Sequence, residues 1–291
     1  MNADTLPLPL YRFGHCTACG LSDPGRVRKA NEDHFLIDPA LGLIVVGDGM
    51  GGHAGGAQAS ATALQRIAAT VGAAVTASTC TPCALNSTES IAAPISAEDP
   101  DDPDATVHDD ALASIRTLLD ALDHANATLY ALNTRDPVTL ERGMGTTVTG
   151  LWQPLASDRL VAFQVGDSRL YRYRDGVLLQ LSRDQTLYQQ ALELGTIDHL
   201  PPRNVLLQAL GPLPSVSPVV ETCVPVPGDC YLLCSDGLYG EVPHHEIEAV
   251  LARVTRDTLD AGCRRLVELA LEAGGKDNVT AVIACFDEPG I

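Results

Sequence analysis

The sequence predicts an α+β domain built on antiparallel sheet, and three observations lead there. Between residues 146 and 181, four short runs rich in Val, Leu, Thr and Tyr follow one another with no helical pattern between them. Asp175-Gly176 stands between two of these runs as a hairpin turn signal. Apolar residues at helical spacing come in pairs of segments, one pair before this meander and one after it.

In chain order, 1–10 reads as a tail and 11–287 as one domain, with 288–291 a second tail. Asn31 to Val46 is strand material around a turn at Asp38 to Gly42, and LGLIVV is apolar enough for a buried strand. Ala57 to Val75 is alanine-rich with apolar residues at helical spacing. Thr76 to Val107 has no periodicity and is rich in Cys, Thr, Ser, Pro and Asp, so it reads as an inserted surface loop. Asp109 to Asn133 is a second helix with Ile115, Leu118, Leu122 and Leu129 on its stripe. Strands are expected at Thr146 to Leu151, Leu160 to Val165, Leu170 to Arg174 and Val177 to Leu181. A short helix follows at Gln189 to Leu194, then a proline-punctuated loop from Pro201 to Pro218. Tyr231 to Cys234 is a buried strand entering Ser-Asp-Gly; helices at His245 to Arg253 and Asp260 to Ala273 precede a last strand, Val279 to Phe286.

Composition excludes several classes. With 291 residues, 45% of them hydrophobic, the chain can bury a sizeable core. No apolar run reaches the roughly 18 to 20 residues that span a bilayer, and Met1 to Pro9 lacks the regions of a signal peptide. The expectation is a cytoplasmic monomer with no membrane contact. Net charge is −18, from 37 acidic against 19 basic residues, which argues against a nucleic-acid binder. Nine cysteines suit a reducing compartment better than a disulfide framework, and Cys223, Cys230, Cys234 and Cys285 read as small core residues. CxxC occurs at Cys16 and Cys19 and at Cys80 and Cys83, but the pairs are too far apart for a zinc ribbon. Positions i and i+3 of a strand also face opposite sides.

The stretch VVGDGMGGHAGG, Val45 to Gly56, raises a choice. Gly47, Gly49 and Gly52 fit the dinucleotide pattern GxGxxG, which would make the chain an oxidoreductase. That reading wants a parallel strand ending in an acid about 20 residues on. The sequence there is still alanine-rich helix. A nucleotide P-loop needs a lysine that is absent. Neither accounts for Asp48.

Asp48 has company, since Asp167, Asp236 and Asp277 each stand just after or just before a strand. Two carboxylates about 4 Å apart repel by on the order of 4 kcal/mol at an effective dielectric of 20, so protons or cations must stand between them. An all-oxygen donor set suits hard cations such as Mg²⁺ or Mn²⁺.

With those residues in place, the chain resembles a family. GRVRKANED (Gly25 to Asp33), VVGDGMGGHAGG, GMGTT (Gly143 to Thr147), VGDSRLYRYRDG (Val165 to Gly176), LLCSDGLYGEV (Leu232 to Val242) and GGKDNVT (Gly274 to Thr280) look like the metal-dependent, type 2C protein phosphatases, the bacterial branch above all. The motifs keep the family's order from about Gly14 to Phe286. The resemblance implies a four-layer α-β-β-α sandwich, two antiparallel sheets packed face to face with helices outside. It implies hydrolysis of phosphoserine and phosphothreonine by a hydroxide bridging two Mn²⁺ or Mg²⁺ ions, on phosphoproteins that include a serine/threonine kinase and its substrates. Asp48 would bridge the ions, the Gly49 carbonyl would ligate one, and Asp236 and Asp277 the other, while Asp167 would hold a third, weaker ion. Glu32 and Asp33 would orient metal-bound waters. Arg28 would grip the phosphate with its planar fork, and His53 is the candidate acid for the leaving group, with loop packing as its alternative role.

A non-catalytic binding module of the same fold is the other reading, against which stands the presence of Asp48, Asp236, Asp277 and Arg28 together. Two departures bear on detail. Asp184-Gln185-Thr186 stands where the family commonly has Asp-His-Ser or a similar triplet, and Lys276 where a small residue or proline is usual.

Overall fold

The computed structural model describes residues 6–51, 54–79, 103–135, 143–154, 157–195 and 199–287. In chain order its strands are β1 (Tyr11–Phe13), β2 (Cys16–Asp23), β3 (His34–Asp38), β4 (Leu43–Gly47), β5 (Gly49–Met50), β6 (Gly145–Thr146), β7 (Val148–Trp152), β8 (Leu160–Val165), β9 (Arg169–Arg174), β10 (Val177–Gln180), β11 (Val219–Cys223), β12 (Cys230–Cys234) and β13 (Val279–Phe286). The helices are α1 (Ala54–Thr79), α2 (Pro103–Asn133), α3 (Leu187–Glu193), α4 (Asp236–Tyr239), α5 (His244–Leu251) and α6 (Leu259–Glu272).

Two antiparallel sheets form the centre. One is six-stranded in the order β1-β2-β13-β12-β9-β10, the other five-stranded in the order β11-β8-β7-β4-β3, and β5 pairs with β6 at one end. Period-two alternation explains how they stack. On β4, Leu43 and Val45 face α1 and α2 with Leu64, Ile67, Leu118 and Leu122. Ile44 and Val46 turn the other way and meet Tyr231, Leu233 and Val282 between the sheets. On β12 the opposite face carries Leu232 against Ile247, Leu251, Leu266 and Val267 of α5 and α6. The layers are therefore helices, sheet, sheet, helices, as expected for an α+β sandwich. Strands covered on both faces cannot alternate polar with apolar, which is why β4, β12 and β13 are buried along their whole length. Truncating one such side chain, Ile44 for instance, costs about 2–5 kcal/mol.

Several expectations need adjusting. The segment read as a loop from Thr76 to Val107 is entered by helix at both ends, because α1 continues to Thr79 and α2 begins at Pro103. Alanine-rich sequence sustains a helix beyond its last large apolar residue. The middle of that loop lies outside the described residues, as do Cys80 and Cys83. Strand β11 is an addition; VVETC is mostly solvent-facing at a sheet edge and framed by Pro218 and Pro225, so it carries little apolar signal. Cys230 and Cys285 are more than small core residues: directly opposed on β12 and β13, they form a disulfide. Strand register, which spacing does not reveal, brings them together. Cys16 and Cys19 on β2 do face opposite sides, Cys16 between the sheets and Cys19 toward α6. Every strand pair among the described residues is antiparallel, so the dinucleotide-binding reading is overturned. Among the described residues, no helix is long and apolar enough to cross a membrane.

Candidate metal centre

The predicted aspartates meet where the two sheets end together. Asp48 follows β4 of the five-stranded sheet; Asp236 follows β12 and Asp277 precedes β13 in the six-stranded one. Asp167 lies in the turn by which the chain crosses from β8 of one sheet to β9 of the other. Glu32 and Asp33 lie at the end of a similar crossing, from β2 to β3.

Around Asp48 the backbone is held from one side. Its N–H donates to Thr147 Oγ1 at 3.0 Å, and its carbonyl accepts the Thr146 hydroxyl and the Thr147 N–H, each at 2.9 Å. The carboxylate is left free of that task, and it feels the charges of Asp33, Asp236, Asp167 and Asp277. At Gly49 three segments converge: a Cβ there would stand 2.2 Å from the Gly56 carbonyl oxygen and 2.5 Å from that of Glu32. Only glycine lets the backbone approach so closely.

Asp33 is buried, and its Oδ2 accepts the hydroxyls of Ser235 at 2.6 Å and Thr280 at 2.7 Å. Its Oδ1 is buried without a protein partner, and so is Glu32 Oε1. Two orphaned carboxyl oxygens of this kind are what a site for water or cations leaves in a protein interior. Asn278 fixes the loop that carries these residues: its Oδ1 accepts the Glu32 N–H at 2.8 Å, and its Nδ2 donates to the carbonyls of Pro24 and Ala30, each at 2.9 Å. Arg28, at the tip of that loop, donates from Nη2 to Asp277 Oδ2 at 2.6 Å and is half exposed, with its other donors available.

Electrostatics describe the same cluster. Burial, and then the charges of Asp33 and Asp236, hold the Asp48 carboxyl well above the ordinary carboxylate range. Asp236 is raised by burial and by Asp277. Asp33 is pushed up to about 6 by burial, with Asp236 and Asp277 adding to it against the two hydroxyl donors. Asp167 is pushed up to about 7 by burial and by the charges of Asp236 and Asp184. Each carboxylate makes its neighbours' charge costlier, so cations would relieve them all. Among the described residues, no three His, Cys, Asp or Glu side chains form by themselves a cluster able to hold a metal ion. The carboxylates are instead spread over several turns at the seam, one or two from each. Mg²⁺ and Mn²⁺ accept such sites, because Mg²⁺ in particular keeps several waters and needs only one or two carboxylates. His53 lies outside the described residues. Ser235, Thr280, Thr147 and Asn278 were not foreseen as site residues, although all four belong to the quoted motifs.

Fold and site together define an α-β-β-α sandwich protein with a carboxylate centre at the seam of its sheets. The chain belongs to the protein phosphatase 2C family, whose model matches residues 26–269. It is 34% identical over 269 residues to the serine/threonine protein phosphatase PstP of Mycobacterium tuberculosis, covering 90% of this chain and 43% of that one. The chain thus spans less than half the length of that relative. With the serine/threonine phosphatase stp of Listeria innocua it shares 31% identity over 276 residues, 90% of this chain and 92% of the relative. A solved structure of the PstP catalytic domain, in complex with two manganese ions, superposes with a TM-score of 0.71 at 30% identity, covering 94% of this chain and 99% of that one.

Proposed function

We propose that the protein is a metal-dependent phosphatase that hydrolyses phosphoserine and phosphothreonine in proteins, with two Mn²⁺ or Mg²⁺ ions at the seam and a third, weaker ion at Asp167. The observation that carries the reading is the gathering of Asp33, Asp48, Asp236 and Asp277 from both sheets into one cluster of mutually repelling carboxyls, beside two buried carboxyl oxygens that no protein group satisfies. Asp48 and the Gly49 carbonyl would hold one ion, Asp48, Asp236 and Asp277 the other. Bound there, the ions would supply Lewis-acid chemistry, lowering the pKa of water and neutralising the phosphoryl oxygens.

The chain's own residues do the rest. Asp33, fixed by Ser235 and Thr280 through one oxygen, keeps the other for orienting water. Glu32 Oε1 is available in the same way. Arg28 can keep Asp277 on Nη2 while its remaining N–H groups take two phosphate oxygens. An exposed arginine above an acidic centre also offsets the repulsion that a dianionic substrate meets in a chain of net charge −18. Substrates that include a serine/threonine kinase are the finer expectation, supported by the resemblance to bacterial type 2C phosphatases. The test is phosphate release from a phosphothreonine peptide with and without Mn²⁺, in wild type and Asp236→Asn. Metal-dependent turnover that the substitution nearly abolishes is expected; equal activity in both, or turnover that survives a chelator, refutes the reading.

A further inference from the structure

Beyond the carboxylates, a closed ring of contacts surrounds the turn that carries Asp167. Gly166 opens this turn with φ +102, and a Cβ there would stand 2.7 Å from Thr147 Cγ2, so the position needs glycine. Gln164 reaches it from β8, its Nε2 donating to the Gly166 carbonyl at 2.9 Å, and among the described residues Gln185 alone reaches the Gly166 N–H. The Gln185 Oε1 accepts the Gly166 N–H at 2.7 Å and its backbone N–H donates to the Gly166 carbonyl at 3.0 Å, so one residue holds both polar groups of that glycine. The neighbouring Asp184 takes a two-pronged ion pair from Arg169, 2.9 Å from Nε and 2.7 Å from Nη2. The Arg169 guanidinium lies 3.7 Å over the ring of Tyr239. The Tyr239 hydroxyl closes the ring by donating to the Asp167 carbonyl at 3.0 Å.

The same groups line a cavity of about 180 Å³ that Asp167, Arg169, Asp184, Thr186 and Tyr239 share. Asp167 therefore borders open volume, and its backbone is fixed by Gln185 and Gln164 through Gly166, by Ser168 through Thr147, and by Tyr239. We propose that Gln185 is a positioning residue: it clamps the Gly166 turn so that the Asp167 carboxylate is preorganised for its cation. This rests on the reading of Asp167 as a ligand of the weaker third ion. Groups that orient ligands from behind typically change metal affinity by about 10–100-fold when lost. An amide does not titrate, so the clamp holds at any pH at which the fold holds.

Two readouts test it on the full chain. Gln185→Met keeps the volume and removes the acceptor; Gln185→Glu keeps an acceptor oxygen. In metal-free protein, hydrogen exchange at the Gly166 amide should accelerate about tenfold or more in Gln185→Met and return toward wild type in Gln185→Glu. In Mn²⁺ titrations followed by the electron paramagnetic resonance of the free ion, Gln185→Met should weaken the weakest ion about tenfold and leave the tighter ones unchanged. Added to Asp167→Asn, the same substitution should have no further effect on Mn²⁺ binding. Unchanged exchange at Gly166 overturns the clamp. Faster exchange with an unchanged weak ion overturns its role in positioning, and so does an equal loss at all ions. If Asp167→Asn leaves the wild-type titration untouched, it is the ligand reading of Asp167 that fails, and the exchange rate alone then decides whether the clamp exists.

Discussion

The Asp33 carboxylate and the Ser235 hydroxyl are joined at 2.6 Å across the seam of the sandwich, 202 residues apart in sequence. Thr280 completes the grip on the same oxygen. Ser235→Ala should cost about 1–3 kcal/mol of stability, read from urea denaturation, because the buried Thr280 N–H also loses the Ser235 hydroxyl as its acceptor. Its effect on turnover should be a loss of about tenfold with KM for the phosphopeptide unchanged, because under the proposed mechanism Asp33 loses the bond that orients it toward water. A raised KM at unchanged kcat would instead place Asp33 in substrate binding.

Asn278 satisfies three backbone groups of the 24–32 loop with one buried side chain. Asn278→Ala should destabilise by about 1–3 kcal/mol, since the Glu32 N–H and the Pro24 and Ala30 carbonyls lose partners at a partly covered edge. Asn278→Asp should fall between, because it keeps the acceptor for the Glu32 N–H and loses the two donors. Thermal melts of the metal-free proteins rank the three.

Arg28 should behave differently from the carboxylates. Its ion pair with Asp277 is solvent-exposed, so Arg28→Ala should change stability by less than about 1 kcal/mol. KM for a phosphopeptide should rise about tenfold or more, and Arg28→Lys should recover only part of this because a lysine cannot bridge two oxygens. An Arg28→Lys enzyme with wild-type KM would remove the bidentate role.

The pH dependence of the metal-free protein has a definite sign. Asp33 and Asp167 keep their protons to about 6 and about 7 in the fold, whereas the unfolded chain releases them near pH 4. Between those limits the native state binds more protons at these two groups, so their contribution to stability is full below about pH 4 and falls as pH rises to 7. The expected loss is on the order of a few kcal/mol. Saturating Mn²⁺, which takes the place of the protons, should flatten the slope. Melting temperatures at pH 5 and pH 7, with and without Mn²⁺, measure this directly; a metal-free protein more stable at pH 7 would contradict the crowding of the carboxyls.

Much of this was legible in the chain. β4 and β13 announced themselves because strands buried on both faces cannot hide their apolar runs. Asp48, Asp167, Asp236 and Asp277 stood out because each interrupts a short glycine- or asparagine-bearing turn at a strand end. What stayed hidden depends on distance through the fold. Nothing local marks Ser235 and Thr280 as partners of Asp33, or Cys230 as the partner of Cys285, since register across the six-stranded sheet decides both. Gln185 was visible only as a departure from a familiar triplet; its bonds to Gly166 belong to a loop 19 residues away.

The carboxylates come from both sheets, so an ion held by Asp48 and Asp236 would act as a rivet between two plates that otherwise adhere through apolar side chains and the hydrogen bonds of Asp33 to Ser235 and Thr280. A ligand at one hundred times its dissociation constant adds about 2.7 kcal/mol to the folded state. Occupancy could then be followed by melting temperature with no substrate present. Removing the ion would loosen the joint between the plates, and shear between them would be expected to release it, so that in this sandwich mechanical cohesion and chemical readiness would rise and fall together.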